Sequence, residues 1–473
     1  MGFLLLLLVL ASLFVLLTTH ASSRLKPSAP LILLAYLVTC ISFLMHAPFT
    51  ETPLGLMGLK YSDVVHGVFH IRFSPDLAGD ARRLSELWFN VDAFNDLVKR
   101  ANLCPIPYVD YMFEYPPLVG FLWYVTTCTS FTIANGFATT TSDFFSLASS
   151  INYVMQASIL AGSAVLTLHT LRKLASYGGR SAGRALLFLV LPSTILYMTY
   201  NWDLIASCLA AAALYAFLRG KRTTSGMLLG LSVSSKLLTG GLLIPLTSHL
   251  LREARGGSSG VKQLHAFLAA FAVGGLTPFM AVYFLSREGL MGFITHHASW
   301  YCENCVYALV VPDIFSPVHR CMYAVLGPTL LALVAFLSYR RPRDMFKQAF
   351  TSVGGVVVLN YVFTPQMILM VTPFALMALD GLLLHAYVAA DVVNSLLIVA
   401  FFEDATLRSI ISGFTPINTD FNPWTIDSPT QWLAMVRNAL LLASIVLTLI
   451  RAARPEPRLS GGYLTSGSDE VLG

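Results

Sequence analysis

The chain has 473 residues, of which 56% are hydrophobic and 12% charged, and its mean hydropathy is +0.68. These values lie outside the range of soluble globular proteins, and apolar stretches of about 18 residues recur along the chain. They predict an all-α polytopic membrane protein with about 13 transmembrane helices.

The net charge of +5 does not indicate a nucleic-acid partner, because 19 of the 30 basic residues fall in short loops between apolar stretches. Such loops are typical of the cytoplasmic side of membrane proteins. They contain Arg24 and Lys26; Arg172, Lys173, Arg180 and Arg184; Arg219, Lys221 and Arg222; Arg252, Arg255 and Lys262; Arg340, Arg341, Arg343 and Lys347; and Arg451, Arg454 and Arg458.

Residues 1–30 are predicted to form an additional transmembrane helix and a cytoplasmic loop. The apolar stretch 2–18 lacks the basic start and the cleavage site of a secretory signal, which favours a retained helix. With the basic loops inside, residues 31–47 cross to the outer face.

Residues 48–117 form a polar segment between apolar spans and carry nine of the 25 acidic residues. We interpret this segment as a weakly helical, extracytoplasmic active-site loop. Pro116 and Pro117 at its end are suited to a helix start, where proline loses no intrahelical hydrogen bond. The parity of the basic loops then predicts that residues 116–131 do not fully cross the membrane. They should lie along its surface or dip in and return.

Three later polar features are predicted at the outer face. Asn201 and Asp203 open an inward helix, and Lys236 follows only about ten residues of outward helix, roughly 15 Å. A lysine at that depth costs about 2.5–3.5 kcal/mol and needs an anionic partner or a water-filled cavity. A second outer loop carries His296, His297, Trp300, Tyr301, Glu303 and Asn304.

Pro365 and Gln366 predict a helix broken at outer depth. Residues 381–451 are predicted to form C-terminal helices around a third outer loop, 403–431, and residues 452–473 a flexible cytoplasmic tail. The seven cysteines are scattered and show no zinc-ligand set. Cys302 and Cys305 lie outside, where they could pair with each other or with Cys104 or Cys321, and the sequence leaves these pairings open.

Polar groups from separate parts of the chain thus converge on one side of the membrane. A carboxylate there can act as general base toward a sugar hydroxyl, and a cation can hold a lipid phosphate that leaves. This is the chemistry of glycosyl transfer from a lipid carrier. The converging residues are Asp63, Glu114, Asn201, Asp203, Lys236, His296, His297 and Gln366.

At these residues the chain resembles the GT-C superfamily of polyprenyl-phosphate-sugar glycosyltransferases, most closely its bacterial and archaeal mannosyltransferase branch and the GPI mannosyltransferase catalytic subunit. The resemblance covers residues 31–380. Its elements, in chain order, are Lys60-Tyr61-Ser62-Asp63, Glu114-Tyr115-Pro116-Pro117-Leu118, Asn201-Trp202-Asp203, Gly230 followed by Lys236, and Pro365-Gln366.

The resemblance implies a hexosyltransferase in the cell membrane with its active site on the extracytoplasmic face. It would move a sugar, mannose in this branch, with inversion from a dolichyl- or polyprenyl-phosphate donor to a glycan or glycolipid acceptor. The implied catalytic base is Asp63. The implied donor-binding residues are Lys236, His296, His297, Asp203 and Asn201, and those shaping the acceptor side are Glu114, Tyr115, Pro116, Pro117 and Gln366.

The resemblance implies no cofactor and no metal. Where metal-binding relatives carry paired acidic residues, this chain has Lys60-Tyr61 before Asp63 and Asn201 before Asp203. Which sugar and which acceptor are used stays open.

Structural interpretations of the same residues stand beside the catalytic ones. Asp63, Glu114 and Asp203 could each cap a helix, Lys236 could extend to the membrane surface, and the histidines could be ordinary interfacial side chains. The alternative function is a polytopic lipid or solute transporter or flippase, since intramembrane polar groups suit both classes. The seventy-residue polar loop favours an enzyme.

Overall fold

The computed structural model describes residues 29–74, 88–340 and 344–453. Within these ranges the chain is helical, and pairing of extended backbone is limited to two isolated bridges. The predicted all-α class is confirmed.

The helices, numbered in chain order, are α1 (Ala29–His46), α2 (Met57–Lys60), α3 (His70–Phe73), α4 (Val91–Val98), α5 (Pro117–Phe137), α6 (Thr141–Tyr177), α7 (Gly183–Val190), α8 (Pro192–Tyr197), α9 (Asp203–Leu218), α10 (Arg222–Ser235), α11 (Leu243–Ala254), α12 (Ser258–Leu285), α13 (Arg287–Ser299), α14 (Val318–Arg340), α15 (Met345–Leu359), α16 (Ile368–Ala378), α17 (Leu382–Phe402), α18 (Asp404–Ser412) and α19 (Pro429–Ala453). Between them lie 3₁₀ turns at Pro53–Gly55, Leu237–Leu242, Val306–Leu309 and Pro365–Met367, and a π-helical segment, Asp63–Phe69.

Six of the described helices are long and apolar enough to span a bilayer: α5, α6, α12, α14, α17 and α19. A span needs about 20 apolar residues, and these six contain between 21 and 37. Shorter apolar helices accompany them, at Leu34–His46, Asp203–Leu218, Met345–Leu359 and Pro365–Ala378. A multi-pass membrane protein is therefore confirmed. The count of about 13 crossings stays a prediction, and the predicted helix at residues 2–18 lies outside the described residues.

Helix α5 packs antiparallel to the first half of α6. At the middle of α5, the Thr126 hydroxyl accepts hydrogen bonds from Asn152 (3.1 Å) and Gln156 (2.7 Å) of α6. Near its end, the Phe131 ring packs against Phe144 at the beginning of α6, with centroids 5.5 Å apart. The sequence predicts that residues 116–131 lie along the membrane surface or dip in and return. The structure instead shows one continuous helix paired with α6.

Helix α6 is longer than a single crossing needs. It has 37 residues, about 55 Å at helical rise, whereas the hydrocarbon core is about 30 Å thick. Helix α5 runs beside its N-terminal half and is itself long and apolar enough to span. That residues 116–131 do not fully cross the membrane remains a prediction.

The helix break predicted at Pro365 and Gln366 is confirmed, and a second break lies at Lys236. Helix α10 ends at Ser235, and Lys236 is extended, with φ −159°, before the 3₁₀ turn begins. Helix α15 ends at Leu359, and the 3₁₀ turn containing Pro365 and Gln366 precedes α16.

Glycines bring α10 and α12 into close contact. A Cβ on Gly226 would lie 2.2 Å from the carbonyl oxygen of Phe267, and one on Gly230 would lie 2.4 Å from that of Phe271. Small residues at such positions let two membrane helices approach backbone to backbone. Helix α10 is held in this contact, and its C-terminal end presents Lys236.

The C-terminal helices pack into the same hydrophobic core as the helices that precede them. Arg437 of α19 is fully buried and donates to Asn394 of α17 (2.9 Å) and to the carbonyl oxygens of Asn304 (3.0 Å) and Phe363 (2.9 Å). Buried charge is tolerated where it is hydrogen-bonded in this way. Helices on both sides of the predicted domain boundary at residue 380 thus pack together. The boundary itself remains a prediction.

The predicted orientation can be tested with single cysteines. Asp92 and Thr295 are exposed and predicted to be outside, whereas exposed Lys221 is predicted to be inside. The background should carry Cys321→Ser, because Cys321 is exposed and free. An impermeant maleimide added to intact cells should label Asp92→Cys and Thr295→Cys, and should label Lys221→Cys only after permeabilisation. The reverse pattern would invert the orientation.

Candidate functional site

Asp63 lies at the centre of the site, at the first position of the π-helical segment. Three side chains from distant parts of the chain donate to its Oδ2 atom: the Tyr115 hydroxyl at 3.1 Å, the Gln366 amide at 3.2 Å and the Asn201 amide. Asp63 does not cap its segment, because that role falls to Ser62, whose hydroxyl accepts from the Val65 amide. The structural alternative for Asp63 is therefore wrong.

The surroundings of Asp63 set its protonation. Desolvation by the surrounding protein raises the pKa of its carboxyl to about 7, against the opposing effects of the Lys236 ammonium and of the hydrogen bonds from Tyr115 and Asn201. A pKa near the working pH suits a general acid or base. The arrangement thus leaves this carboxyl able to take up and release a proton near neutrality.

Lys236 and Asp203 form an ion pair beside Asp63. The Lys236 ammonium lies 3.0 Å from Asp203 Oδ1, and the exposed fractions of the two side chains are 15% and 0%. The same ammonium lies 5.7 Å from the centre of the Tyr115 ring, on the residue whose hydroxyl donates to Asp63. The anionic partner predicted for Lys236 is supplied by the chain itself. The side chain does not extend to the surface, and Asp203 makes no capping hydrogen bond at the start of α9.

Glu114 forms an ion pair with Arg72 rather than capping the following helix. The two side chains are largely buried, with exposed fractions of 19% and 5%, and Arg72 also donates to the Met112 carbonyl at 3.1 Å. Helix α5 begins as predicted, with Pro117 in its first turn after Pro116, and it has no side-chain cap. The prolines therefore set the start of α5, and Arg72 orients Glu114.

His296 and His297 lie on α13 at the edge of the site. The His296 ring packs on Trp300 at 4.5 Å, and His297 Nδ1 lies 3.0 Å from the Phe293 carbonyl oxygen. Burial lowers the pKa of His296 to about 4, partly opposed by Glu114, and also lowers the pKa of His297, with Lys236 acting in the same direction. Both imidazoles are therefore neutral at pH 7 and can donate a hydrogen bond without supplying charge.

Close packing sets the position of α13 against the outer loop. A Cβ on Gly289 of α13 would lie 1.8 Å from the Tyr108 carbonyl oxygen, and one on Gly120 of α5 would lie 2.4 Å from the Tyr108 ring. The Tyr108 hydroxyl in turn donates to the Tyr115 carbonyl at 2.5 Å. Tyr108 therefore links α5, α13 and the residue that supports Asp63.

Taken together, the structure brings nine of the predicted site residues to one region. Tyr115, Asn201 and Gln366 touch Asp63, and Asp203 pairs with Lys236 next to it. Glu114, His296 and His297 interact electrostatically with one another or with Lys236. Pro116 and Pro117 act on the backbone only.

Sequence reasoning missed Arg72, Tyr61 and Glu303 as members of this region. Arg72 was not predictable as the partner of a residue 42 positions later in the chain. The charges of Asp63 and Glu303 both act on Tyr61, and burial raises the pKa of its hydroxyl. Glu303 stands between two cysteines in a polar outer loop, which was the available signal.

Two disulfides lie in this part of the chain, Cys302–Cys305 and Cys104–Cys128. The first was among the predicted alternatives, whereas Cys128 of α5 was not considered as the partner of Cys104. Among the described residues, His319 lies close enough to Cys302 and Cys305 for the three to be potential metal ligands. The disulfide occupies both sulfurs, so this set does not fit a metal ion.

No family model and no curated protein matches the chain. Among solved structures, the chain is similar to ArnT from Cupriavidus metallidurans bound to undecaprenyl phosphate, with 13% sequence identity, a TM-score of 0.41, and coverage of 89% of this chain and 76% of that chain. A similarity of this size carries no argument about activity. The functional argument rests on the geometry of the site.

The Lys236–Asp203 pair can be measured with a double-mutant cycle in purified protein. Lys236→Met leaves the fully buried Asp203 carboxylate without its partner, which should lower stability by about 3–5 kcal/mol. Lys236→Met/Asp203→Leu removes both charges and should recover part of that loss. Thermal unfolding in detergent compares Lys236→Met, Asp203→Leu and the double variant with the parent. Additive losses would show that the two side chains do not interact.

Proposed function

We propose that this protein is an inverting glycosyltransferase that moves a sugar from a polyprenyl- or dolichyl-phosphate donor to a glycan or glycolipid acceptor on the extracytoplasmic face. The observation that carries the proposal is the position of two groups on either side of Tyr115. The Asp63 carboxylate accepts from its hydroxyl at 3.1 Å, and the Lys236 ammonium, at the end of α10, lies 5.7 Å from the centre of its ring. Mannose is the first donor sugar to test.

Asp63 is the proposed base. The acceptor hydroxyl attacks the anomeric carbon, the carbon–oxygen bond to the donor phosphate breaks, and the hydroxyl proton passes to Asp63. The products are the glycosylated acceptor and the polyprenyl phosphate, whose bridging oxygen keeps the bonding electrons. Oδ2 is already held by three donors, so the carboxyl is oriented before substrate binds.

Lys236 is the proposed contact for the donor phosphate. An ammonium has three N–H donors, and that of Lys236 forms its ion pair with Asp203 on one side. The remaining donors can meet phosphate oxygens while Asp203 keeps the side chain in place. The low exposure of the pair strengthens this attraction compared with water. The neutral His296 and His297 can add hydrogen bonds at the edge of the same region.

Asp63→Asn tests the base directly. It keeps the size of the side chain but cannot accept the proton, so turnover of polyprenyl-phosphate mannose by purified protein should fall by roughly 10² to 10⁴. Donor affinity should change little. Asp92→Asn, an exposed change in the same outer segment, is the matched control and should stay active. Near-normal transfer by well-folded Asp63→Asn would refute Asp63 as the base.

The pH dependence of kcat/KM provides a second test. The base must be ionised, and the pKa of Asp63 is raised to about 7. The rate should therefore fall about tenfold per pH unit below that value and level off above it. Lys236 lowers this pKa, so in Lys236→Met the limb should move to higher pH. If the fall in kcat/KM occurred at the same pH in that variant as in the parent, ionisation of Asp63 would not be its cause.

A further inference from the structure

Glu303 is a carboxylate of the site region that the proposed reaction does not use. It lies between α13 and α14, and its Oε2 atom accepts from the Trp300 indole at 2.9 Å. Its charge acts on both Lys236 and Tyr61. Lys236 is the proposed contact for the donor phosphate, and Tyr61 lies beside the proposed base, Asp63. The charge of Glu303 therefore acts on both ends of the proposed site.

The backbone of Glu303 is joined to the segment that leads to Gln366. Glu303 N donates to the Tyr361 carbonyl at 3.0 Å, and Phe363 N donates to the Glu303 carbonyl at 2.8 Å. The Cys302–Cys305 disulfide closes the chain around Glu303 and Asn304. The carboxylate therefore has little freedom to move relative to the groups that hold Asp63.

The next residue, Asn304, is held just as firmly. Its φ of 52° lies in the left-handed region. Its carbonyl oxygen accepts from the buried Arg437 (3.0 Å) and from Asn438 (2.9 Å), and its side-chain oxygen accepts from Gln431 at 3.3 Å. Such a conformation persists where the surroundings over-determine it, and it clusters at ligand sites. The buried Arg437 thus fixes the backbone of the residue next to Glu303.

The negative charge of Glu303 limits which part of the substrates this side chain can bind. A phosphate would be repelled by it, and the proton of the acceptor is already assigned to Asp63. Hydroxyl groups are neutral donors that carboxylates bind well. The sugar must lie between the base and the phosphate. Glu303 borders that region, because Trp300, which holds its carboxylate, packs on His296, and its backbone is bonded to the segment before Gln366. Burial also raises the pKa of Glu303.

We propose that Glu303 binds hydroxyl groups of the sugar carried by the lipid donor, and that the Cys302–Cys305 loop holds it in register with Asp63. Glu303 is then a specificity-determining residue. This inference rests on the proposed function, because it takes a polyprenyl-phosphate sugar as the ligand.

The test compares binding of two lipids, polyprenyl phosphate and the same lipid carrying mannose, to purified parent protein and to Glu303→Gln. Affinity for the mannosylated lipid should fall by roughly tenfold or more, the size of one lost charge-assisted hydrogen bond. Affinity for the lipid without sugar should stay within about twofold. Glu288→Gln, an exposed change on α13, is the control. Equal losses for both lipids, or no loss, would overturn the inference.

Kinetics separate this inference from the proposed function. If the parent transfers no sugar from any polyprenyl-phosphate donor, the proposed function fails, whatever Glu303 does. If the parent transfers sugar and Glu303→Gln keeps its KM and its choice among donor sugars, the inference alone fails. The expected result is a raised KM and weakened discrimination between mannose and glucose donors. The limb of the pH profile near 7 should persist, because it belongs to Asp63.

The disulfide offers a second variant. Cys302→Ser/Cys305→Ser leaves Glu303 in the chain but frees its loop, so KM for the mannosylated lipid should rise while binding of polyprenyl phosphate is kept. Cys104→Ser/Cys128→Ser removes the other disulfide and is the matched control. If both double variants have the same KM as the parent, the loop has no positioning role.

Discussion

The site depends on the Asp63 carboxylate being held, in a poorly solvated place, by side chains from three separate segments. Tyr115 comes from the segment before α5, Asn201 from the turn before α9 and Gln366 from a helix break. Each donor removes part of the cost of burying the carboxylate, while desolvation still keeps its pKa near 7. Outer loop and membrane helices must therefore fold together before this group has its useful proton affinity.

The Lys236–Asp203 pair belongs to the same balance. A largely buried lysine is costly alone, and Asp203 offsets that cost while leaving the ammonium beside the ring of Tyr115. Glycines set the distance between α10 and α12 and so fix the position of the C-terminal end of α10. The position of the cation is thus a consequence of helix packing. Adding one methyl group at Gly230 would push α10 away from α12 and move Lys236.

Buried arginine contacts extend this arrangement to the C-terminal helices. Arg437 of α19 reaches both the loop of Glu303 and the segment before Gln366. It lies 3.6 Å from the centre of the Phe363 ring. Helices after residue 380, which had no assigned role in the sequence interpretation, therefore support the region from behind.

Most of the residues that meet around Asp63 were indicated by the resemblance to the GT-C superfamily. The sequence alone determined the class of the protein and the helix break at Pro365, which follow from hydropathy and from the chemistry of proline, both local properties. It could not determine which carboxylate pairs with which cation, that α5 stands beside α6, or that Glu303 joins the site. Those outcomes depend on contacts between residues far apart in the chain, where only packing in three dimensions selects one partner among several of equal charge.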